Sequence, residues 1–431
     1  MLKQGCSTSS TLFKIYINDL IIDMNNADTD DVVIMSPTPE KLQHALDVVS
    51  QWSSKWRLRL NGSKTQIVHY RKQNVERCDK EFICGNLKLE YTDKYKYLGV
   101  WLEEYLDLSV TVKESTKTAT RALGKLISKF KNTGGSSHKV FTKLYNTAVI
   151  PIVSYSAGIW GLKEYRCLNT LQNKAGRFLL SLPPKAPSCA IQGETGWNSM
   201  PYHTRQEVIR LFCRLNTMND QRLTKKIWNW SNSISGSNCK NWAYNIKRFI
   251  NKYDLDQIGV NSLSPKEGVV ACRDILQNIE NNQWSTKLWN DKGNANGNKL
   301  RTYRKFKSEL CTEQYLNLNI PRTKRSPFVK LRCGVLPLQI ELGRFQRIPI
   351  DQRICTQCDS GEVEDEMHFL MKCEKYRDRR SQMVQKAKDI NSDFNDWNTE
   401  RQFCFLMSNN TMSATVINAV YDMFLLRKGN K

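Results

Sequence analysis

Long apolar runs are missing from this 431-residue chain. No segment approaches the roughly 18 consecutive apolar residues that a membrane-spanning helix needs. The most apolar stretch, 148–160, is interrupted by proline and serine. The amino terminus also has no hydrophobic core of a signal peptide. We therefore expect an intracellular protein, nuclear or cytoplasmic, that is not secreted.

Acidic residues are scarce as well, with 42 Asp and Glu against 65 Lys and Arg and a formal net charge of +23. Such an excess contributes little to a fold but favours binding to a polyanion. Nucleic acid is the leading expected partner, and an anionic membrane surface is the second possibility. The missing apolar span argues against a membrane partner, so RNA and DNA are the partners we expect.

Histidine is rare, with five in the chain, whereas cysteine is abundant, with fourteen. Eleven cysteines are scattered singly, and we expect them to be reduced and mostly buried as small apolar side chains. The other three form the pattern Cys355-x2-Cys358-x9-His368-x4-Cys373. A Cys-x2-Cys turn presents two sulfurs to one ion, and zinc prefers four tetrahedral thiolate and imidazole ligands. The pattern predicts a structural zinc site; the alternative is three buried cysteines with an unrelated histidine.

The first hundred residues have mixed α/β patterning. Residues 39–60 predict an amphipathic helix, 65–70 and 97–101 predict strands, and a hairpin is expected around Gly85-Asn86. From residue 107 onward the chain predicts helices, among them 138–148, 165–182, 200–218, 222–230 and 413–427. The Ser- and Asn-rich stretch 229–241 is the best candidate for a linker.

Basic residues recur at every fourth position of the first long helix, and only Glu114 offsets them. A solvated helix face is one interpretation, and contact with nucleic-acid phosphates is the other. The lack of acids favours phosphate contact. The residues of this basic stripe are Lys113, Lys117, Arg121, Lys125 and Lys129.

Five tryptophans lie in polar surroundings, where they either stack on single-stranded bases or pack between helices. Packing is the expected role. They are Trp228, Trp230, Trp242, Trp284 and Trp289.

Two adjacent carboxylates, Asp30 and Asp31, precede the apolar run 32–35. Paired acids at the head of a strand are how nucleotidyl-transfer enzymes hold divalent metal ions such as magnesium. A two-metal site needs a further carboxylate from another segment. The nearby acids Asp19, Asp23 and Asp28 all belong to the same short stretch and are poor candidates for that ligand.

Several motifs around this pair follow one another along the chain. They are Gln4-Gly5-Cys6-Ser7, Ile15-Tyr16-Ile17-Asn18-Asp19, Thr29-Asp30-Asp31, Leu58-x-Leu60-Asn61-x-x-Lys64-Thr65 and Tyr97-Leu98-Gly99. Together they resemble the palm of reverse transcriptases from non-LTR (LINE-type) retrotransposons. The segment following the thumb resembles the same family at Trp160-Gly161 and at Gly193-Glu194-x-Gly196-Trp197, and the Cys355–Cys373 cluster resembles its C-terminal zinc-knuckle-like region.

The resemblance implies RNA-directed DNA synthesis from dNTPs. It implies that Asp30 and Asp31 bind magnesium, that Gln4 and Gly5 position template and nucleotide, and that Lys64 approaches the phosphates. Ser7 and Ser10 replace prolines of the family, and the segment before the acids is short and polar. For this polypeptide alone we expect no polymerisation, because the fingers and the first palm aspartate are missing. The alternative function is a non-catalytic, zinc-containing RNA- or DNA-binding protein.

The expected fold class is α+β. We expect a truncated reverse-transcriptase palm remnant at 1–104, a helical thumb-like region at 105–230 and a polar helical linker region at 231–320. A small zinc-stapled, knuckle-like module with a C-terminal helix is expected at 321–431.

Overall fold

The structure is a computed structural model that describes residues 33–132, 137–290 and 299–429. The chain divides into two units, Met1–Thr111 and Val112–Lys431. The first unit contains every described strand that belongs to a sheet, and the second is built from helices. The α+β class is thereby confirmed, whereas the predicted boundaries at residues 104, 230 and 320 stay predictions.

In the first unit, helix α1 (Pro39–Lys55) begins where the Thr38 side chain accepts a hydrogen bond from the amide of Lys41. Its buried face, which includes Leu46, packs against a small three-stranded sheet. The sheet has the order β1-β3-β2, with β1 parallel to β3 and β2 antiparallel to it. The strands are β1 Gln66–Ile67, β2 Phe82–Cys84 and β3 Leu87–Tyr91. The hairpin predicted around Gly85-Asn86 is confirmed.

The strand predicted over residues 97–101 is wrong, because a turn divides this segment. Strands β4 (Lys94–Tyr97) and β5 (Val100–Glu103) pair in antiparallel fashion. The two residues between them have φ angles of 44° at Leu98 and 85° at Gly99. Two positive φ values in succession are typical of the two-residue turns that close hairpins. A leucine at such a position hides the turn from a sequence analysis, since leucine rarely adopts this conformation.

Helices account for the described secondary structure of the second unit, apart from one isolated bridge. Those predicted at 138–148 and 413–427 have the expected bounds. Helix α2 (Ser109–Asn132) starts just before the unit boundary, and the others are α3 His138–Ala148, α4 Ile150–Ser154, α5 Ala157–Trp160, α6 Arg166–Leu180, α7 Ser188–Thr195, α8 Met200–Asn216, α9 Leu223–Ser233, α10 Trp242–Lys252, α11 Pro265–Ala271, α12 Arg273–Trp289, α13 Tyr303–Phe306, α14 Arg322–Arg332, α15 Gln339–Phe345, α16 Arg377–Ile390, α17 Thr399–Ser408 and α18 Ser413–Arg427.

The stretch predicted as a linker folds back on itself. Residues 229–233 form the end of α9, and Asn241 caps α10 by accepting a hydrogen bond from the amide of Tyr244. The Asn241 side chain also donates to the carbonyl of Ser231 over 2.7 Å. Helices α8 to α12 then share one apolar core.

A second core joins α7, α12, α14, α16, α17 and α18 and contains Trp284, a fully buried tryptophan on α12. Trp228 is buried in the first of the two cores, so the packing role expected for the tryptophans is confirmed at these two positions. Trp230 and Trp289 remain 63% and 55% exposed. Among the described helices, none has the length and apolar character needed to cross a membrane.

Candidate functional site

The Cys355-x2-Cys358 turn is set by an isolated antiparallel bridge between Ile354 and Val363. The amide of Cys355 donates to the carbonyl of Glu362 over 2.9 Å, which closes the loop that carries both sulfurs. The amide of Gln357 donates to the Cys355 sulfur over 3.4 Å. The two predicted zinc ligands are therefore held by the backbone and not only by side-chain packing.

The other two predicted ligands lie at opposite ends of one π-helical turn, His368–Lys372. The amide of Cys373 donates to the carbonyl of His368 over 2.9 Å, so the wider turn brings both side chains to the same side. π-helical turns are rare and are found frequently at functional sites. The x4 spacing suggested this proximity, but the helix type was not predictable from it.

All four ligand atoms lie within 4.8 Å of one another. The sulfurs of Cys355 and Cys373 are 3.9 Å apart, and the Cys358 sulfur lies 3.4 Å from Nε2 of His368. Tetrahedral thiolates about 2.3 Å from a zinc ion lie roughly 3.8 Å from each other. Within the described ranges, this is the only group of His, Cys, Asp or Glu side chains with such geometry. The four residues can hold a metal ion.

Outer contacts orient the histidine toward the sulfurs. Nδ1 of His368 lies 3.1 Å from Oε2 of Glu362, and Lys372 pairs with the same carboxylate over 3.1 Å. These two contacts lower the pKa of Glu362. With Nδ1 engaged by a carboxylate, Nε2 presents its lone pair to the cluster, which is the usual arrangement around a histidine ligand of a metal.

The thiols differ in their environments. Burial raises the pKa of Cys355, and it raises that of Cys373 to about 12. Burial acts the same way on Cys358, but hydrogen bonds from Ser360, Cys355 and His368 outweigh it and lower the pKa of Cys358 to about 6. Three thiolates in one buried cluster would need a compensating cation, which a divalent metal ion would supply.

Buried ion pairs tie the cluster to the rest of the second unit. Glu364 is fully buried and receives two hydrogen bonds from the guanidinium of Arg427 on α18, one of 2.9 Å. Its Oε2 also accepts from the amide of Gln339 at the start of α15 over 2.8 Å. The loop that carries the cluster is thus fixed to two helices by one carboxylate.

Some arginines near the cluster stabilise its backbone, and others are exposed to solvent. Arg353 is buried and donates to the carbonyls of Ile340 and Ile348, and Arg380 donates to those of Leu370 and Cys373. These two guanidinium groups stabilise the backbone. The exposed arginines of this region are Arg347, Arg377 and Arg379.

A cleft of about 570 Å³ opens on the histidine side of the cluster. Three carboxylates line it, those of Glu362, Asp365 and Glu400, together with the ammonium group of Lys372. A predominance of acids disfavours phosphate groups. The cleft is therefore a poor site for nucleic acid.

The basic stripe lies on α2, and all five of its side chains are exposed. The opposite face is fully buried at Ala119 and Leu123. Of the five, Lys117 pairs with Glu114 over 2.9 Å, and Arg121 donates to Thr118 over 3.2 Å. Residues four apart are separated by about 6 Å along a helix and rotate by about 40°. The stripe is thus a shallow spiral of positive charge about 24 Å long.

Lys64 is exposed at the end of a turn, where its carbonyl accepts a hydrogen bond from the Tyr95 hydroxyl over 2.8 Å. The other predicted polymerase residues, Gln4, Gly5, Asp30 and Asp31, lie outside the described residues. Their roles stay predictions.

A buried charge cluster, which the sequence analysis missed, surrounds Glu194. The guanidinium of Arg332 donates to both Glu194 oxygens over 2.9–3.1 Å and contacts Glu313 at 2.9 Å. Arg332 and Glu194 are 1% and 0% exposed. Burial opposes the charge of Arg332, but Glu194 and Glu313 overcome it and raise the pKa of the guanidinium. Lys307 pairs with Glu313 over 2.5 Å and brings the cluster to neutrality.

The motif Gly193-Glu194-x-Gly196-Trp197 has a structural explanation in this cluster. A Cβ at Gly193 would lie 2.4 Å from the Tyr303 hydroxyl, and one at Gly196 would lie 2.3 Å from the amide nitrogen of Thr312. Gly196 also has a positive φ of 64°. Only glycine fits both positions. The motif therefore serves packing around a buried carboxylate.

Part of the chain is similar to known proteins. Residues 1–102 match the family described as Reverse transcriptase (RNA-dependent DNA polymerase). The chain is 23% identical over 171 residues to a Drosophila melanogaster protein named "Probable RNA-directed DNA polymerase from transposon BS". The aligned part is 39% of this chain and 18% of that relative. No solved structure matches the chain. The predicted resemblance to non-LTR retrotransposon reverse transcriptases is confirmed, and the family match lies in residues 1–102.

Proposed function

We propose that this chain binds RNA and DNA as part of the machinery of a non-LTR retrotransposon. The exposed basic stripe of α2 carries the proposal, since five cations lie on one helix with a single neighbouring acid. Phosphate groups gain from such a surface because binding releases condensed counterions. Element transcript and target DNA are the proposed ligands, and the nucleus or the cytoplasm is the proposed location.

The Cys355–Cys358–His368–Cys373 cluster is proposed to hold one structural zinc ion. Three thiolates and one imidazole fill the four tetrahedral positions and leave none open for chemistry. The role of the ion is to stabilise the loop between α15 and α16. Metal analysis of protein purified without chelator should find about one zinc per chain. Cys373→Ser should lose it, and Cys167→Ser, which removes a half-buried cysteine outside the cluster, should keep it.

Salt-dependent RNA binding tests the basic stripe. The variant Lys113→Gln, Arg121→Gln and Lys125→Gln removes three exposed charges and leaves the Lys117–Glu114 pair in place. The slope of log affinity for a single-stranded RNA against log salt concentration should become less negative by about 2 in this variant. Each lost phosphate contact contributes roughly 0.7 to that slope.

The matched control removes the same number of exposed charges elsewhere, as Lys163→Gln, Lys266→Gln and Lys386→Gln. The salt dependence of RNA affinity in this control should stay close to that of the unaltered chain. Equal losses in the two variants would show that net charge, and not the stripe, governs binding.

RNA-directed DNA polymerisation is the second candidate, favoured by the family match over residues 1–102 and by the Asp30-Asp31 pair. We propose that the 431-residue polypeptide does not polymerise by itself, because a two-metal site needs a carboxylate from a further segment. Primer extension with magnesium and dNTPs tests this. Template-dependent synthesis that disappears in the Asp30→Ala, Asp31→Ala double variant would establish the polymerase instead.

A further inference from the structure

Helix α9 has two faces of opposite character. Its inner face carries Trp228, whose ring contacts those of Phe212 and Trp242 at centroid distances of 5.9 and 5.5 Å. The indole nitrogen of Trp228 donates to Asn216 over 2.9 Å. This face anchors the helix in the core. The outer face carries three large apolar side chains that are mostly exposed, namely Leu223 at 68%, Ile227 at 53% and Trp230 at 63%. Ile234, which caps the carboxyl end of the helix in a right-handed helical conformation, continues this row and is 42% exposed.

We call these four residues the α9 seam. They follow one another at intervals of four, three and four, which places them within an arc of about 60° on the helix. This is the spacing of the d and a positions of a heptad repeat, with isoleucine at both a positions. Three of the four side chains are aliphatic and offer no π-face to a base. The seam thus matches the surface of another helix better than a single-stranded nucleic acid.

The segment that contains the seam is basic, and the nearest acids in sequence are Asp220, three residues before Leu223, and Asp254. Residues 221–253 contain no Asp or Glu. Lys226 follows Leu223 at the g position, next to the seam, and is exposed. The basic residues of this segment are Arg222, Lys225, Lys226, Lys240, Lys247, Arg248 and Lys252.

We propose that the α9 seam is a docking site for an amphipathic helix of another protein, with aliphatic residues on its apolar face and acidic residues beside it. The apolar faces would pack as in helix-in-groove recognition. The acidic flank would pair with Lys226 and its neighbours, which gives both orientation and discrimination between partners. Pairing of two copies of this chain through their seams is disfavoured, because it would bring two copies of the same basic segment together.

A pair of designed peptides tests the proposal on the full chain. Both peptides carry three heptads with isoleucine at a and leucine at d; one has glutamate at e and g, and its twin has lysine there. Fluorescence anisotropy should show binding of the acidic peptide and at least tenfold weaker binding of the basic twin. The double variant Ile227→Ser, Ile234→Ser should bind the acidic peptide with at least tenfold lower affinity. These positions are exposed, so the helix content and melting temperature should not change.

Two further variants sharpen the result. Lys226→Gln should lower the affinity for the acidic peptide but not the affinity for its basic twin. Val270→Ser, which removes a similarly exposed aliphatic side chain from α11, should leave the affinity for the acidic peptide unchanged. Equal binding of the two peptides, no binding of either, or an equal effect of Val270→Ser would overturn the proposal. One further result would overturn the proposal. In it, neither peptide binds the chain, and the double-serine variant instead loses its binding to poly(U) RNA, its binding to phosphatidylserine vesicles or its self-association.

Discussion

Glu194 and Arg332 form the most deeply buried ion pair that we describe, and its partners lie 138 residues apart in the chain. Removing one partner leaves the other charge buried without compensation, which typically costs 3–5 kcal/mol. We therefore predict that Arg332→Met lowers the free energy of unfolding by about 4 kcal/mol. Urea denaturation followed by tryptophan fluorescence measures it.

The control for this prediction is the exposed pair between Arg377 and Glu374 on the surface. Arg377→Met should change the free energy of unfolding by less than about 0.5 kcal/mol, since exposed pairs contribute little. Similar losses in both variants would mean that burial does not decide the contribution of these ion pairs.

His138 gives the second prediction at this scale. Its ring is 4% exposed, and burial, with Arg325 and Lys139 nearby, lowers its pKa to about 4 from the usual value of 6.5. Between these values the unfolded chain binds a proton that the folded chain does not. The contribution of neutral His138 to the free energy of unfolding is therefore fully present above pH 6.5 and is lost as the pH falls toward 4.

For this group alone, we expect the free energy of unfolding to fall by up to about 2 kcal/mol from pH 7 to pH 5. His138→Gln, which keeps a polar group near Thr142, should remove that part of the pH dependence. Chemical denaturation at the two pH values measures it, and an identical slope in the variant would contradict the assignment.

At the scale of elements, local patterns were predictable and distant pairings were not. The four predicted metal ligands lie within nineteen residues, so their spacing was enough to predict that they lie close together. The capped helix α1 and the hairpin at Gly85-Asn86 were predictable for the same reason. The turn at Leu98-Gly99 was missed because its chemistry is atypical, and Glu194–Arg332 was missed because nothing local links the two residues. The apolar seam of α9 could be read as an amphipathic helix, but only the structure shows which face is exposed.

Glu362 should tune the metal affinity of the cluster through its contact with His368. Its carboxylate lies 3.1 Å from Nδ1 of His368 and orients the ring. Loss of such an outer partner usually weakens metal affinity 10–100-fold. Glu362→Gln should do so in a competition assay with a chromophoric zinc chelator, whereas Glu374→Gln, an exposed carboxylate next to Cys373, should have little effect. Unchanged affinity in Glu362→Gln would mean that the contact does not orient a ligand.

At the scale of the whole molecule, the two units should respond differently to removal of the metal. The cluster belongs to the second unit. There Glu364 links the loop that carries the cluster to Arg427 on the last helix, and Cys355 and Cys373 belong to a large apolar core. The first unit has its own small core, built around Leu46 and Phe82. Free energy gained from metal binding is free energy of folding for the part that binds the metal. Chelation should therefore destabilise the second unit and leave the first unchanged.

Hydrogen exchange with mass spectrometry resolves the two responses in one experiment. After treatment with a zinc chelator, peptides from 339–390 and 413–427 should exchange faster, because the loop, α15, α16 and α18 lose a shared anchor. Peptides from 82–104 should keep their protection. The Cys373→Ser variant should reproduce the pattern without chelator, which separates metal loss from other effects of the chelator. Faster exchange in both units would show that their stabilities are coupled, and no change in either would show that the cluster does not hold a structural metal.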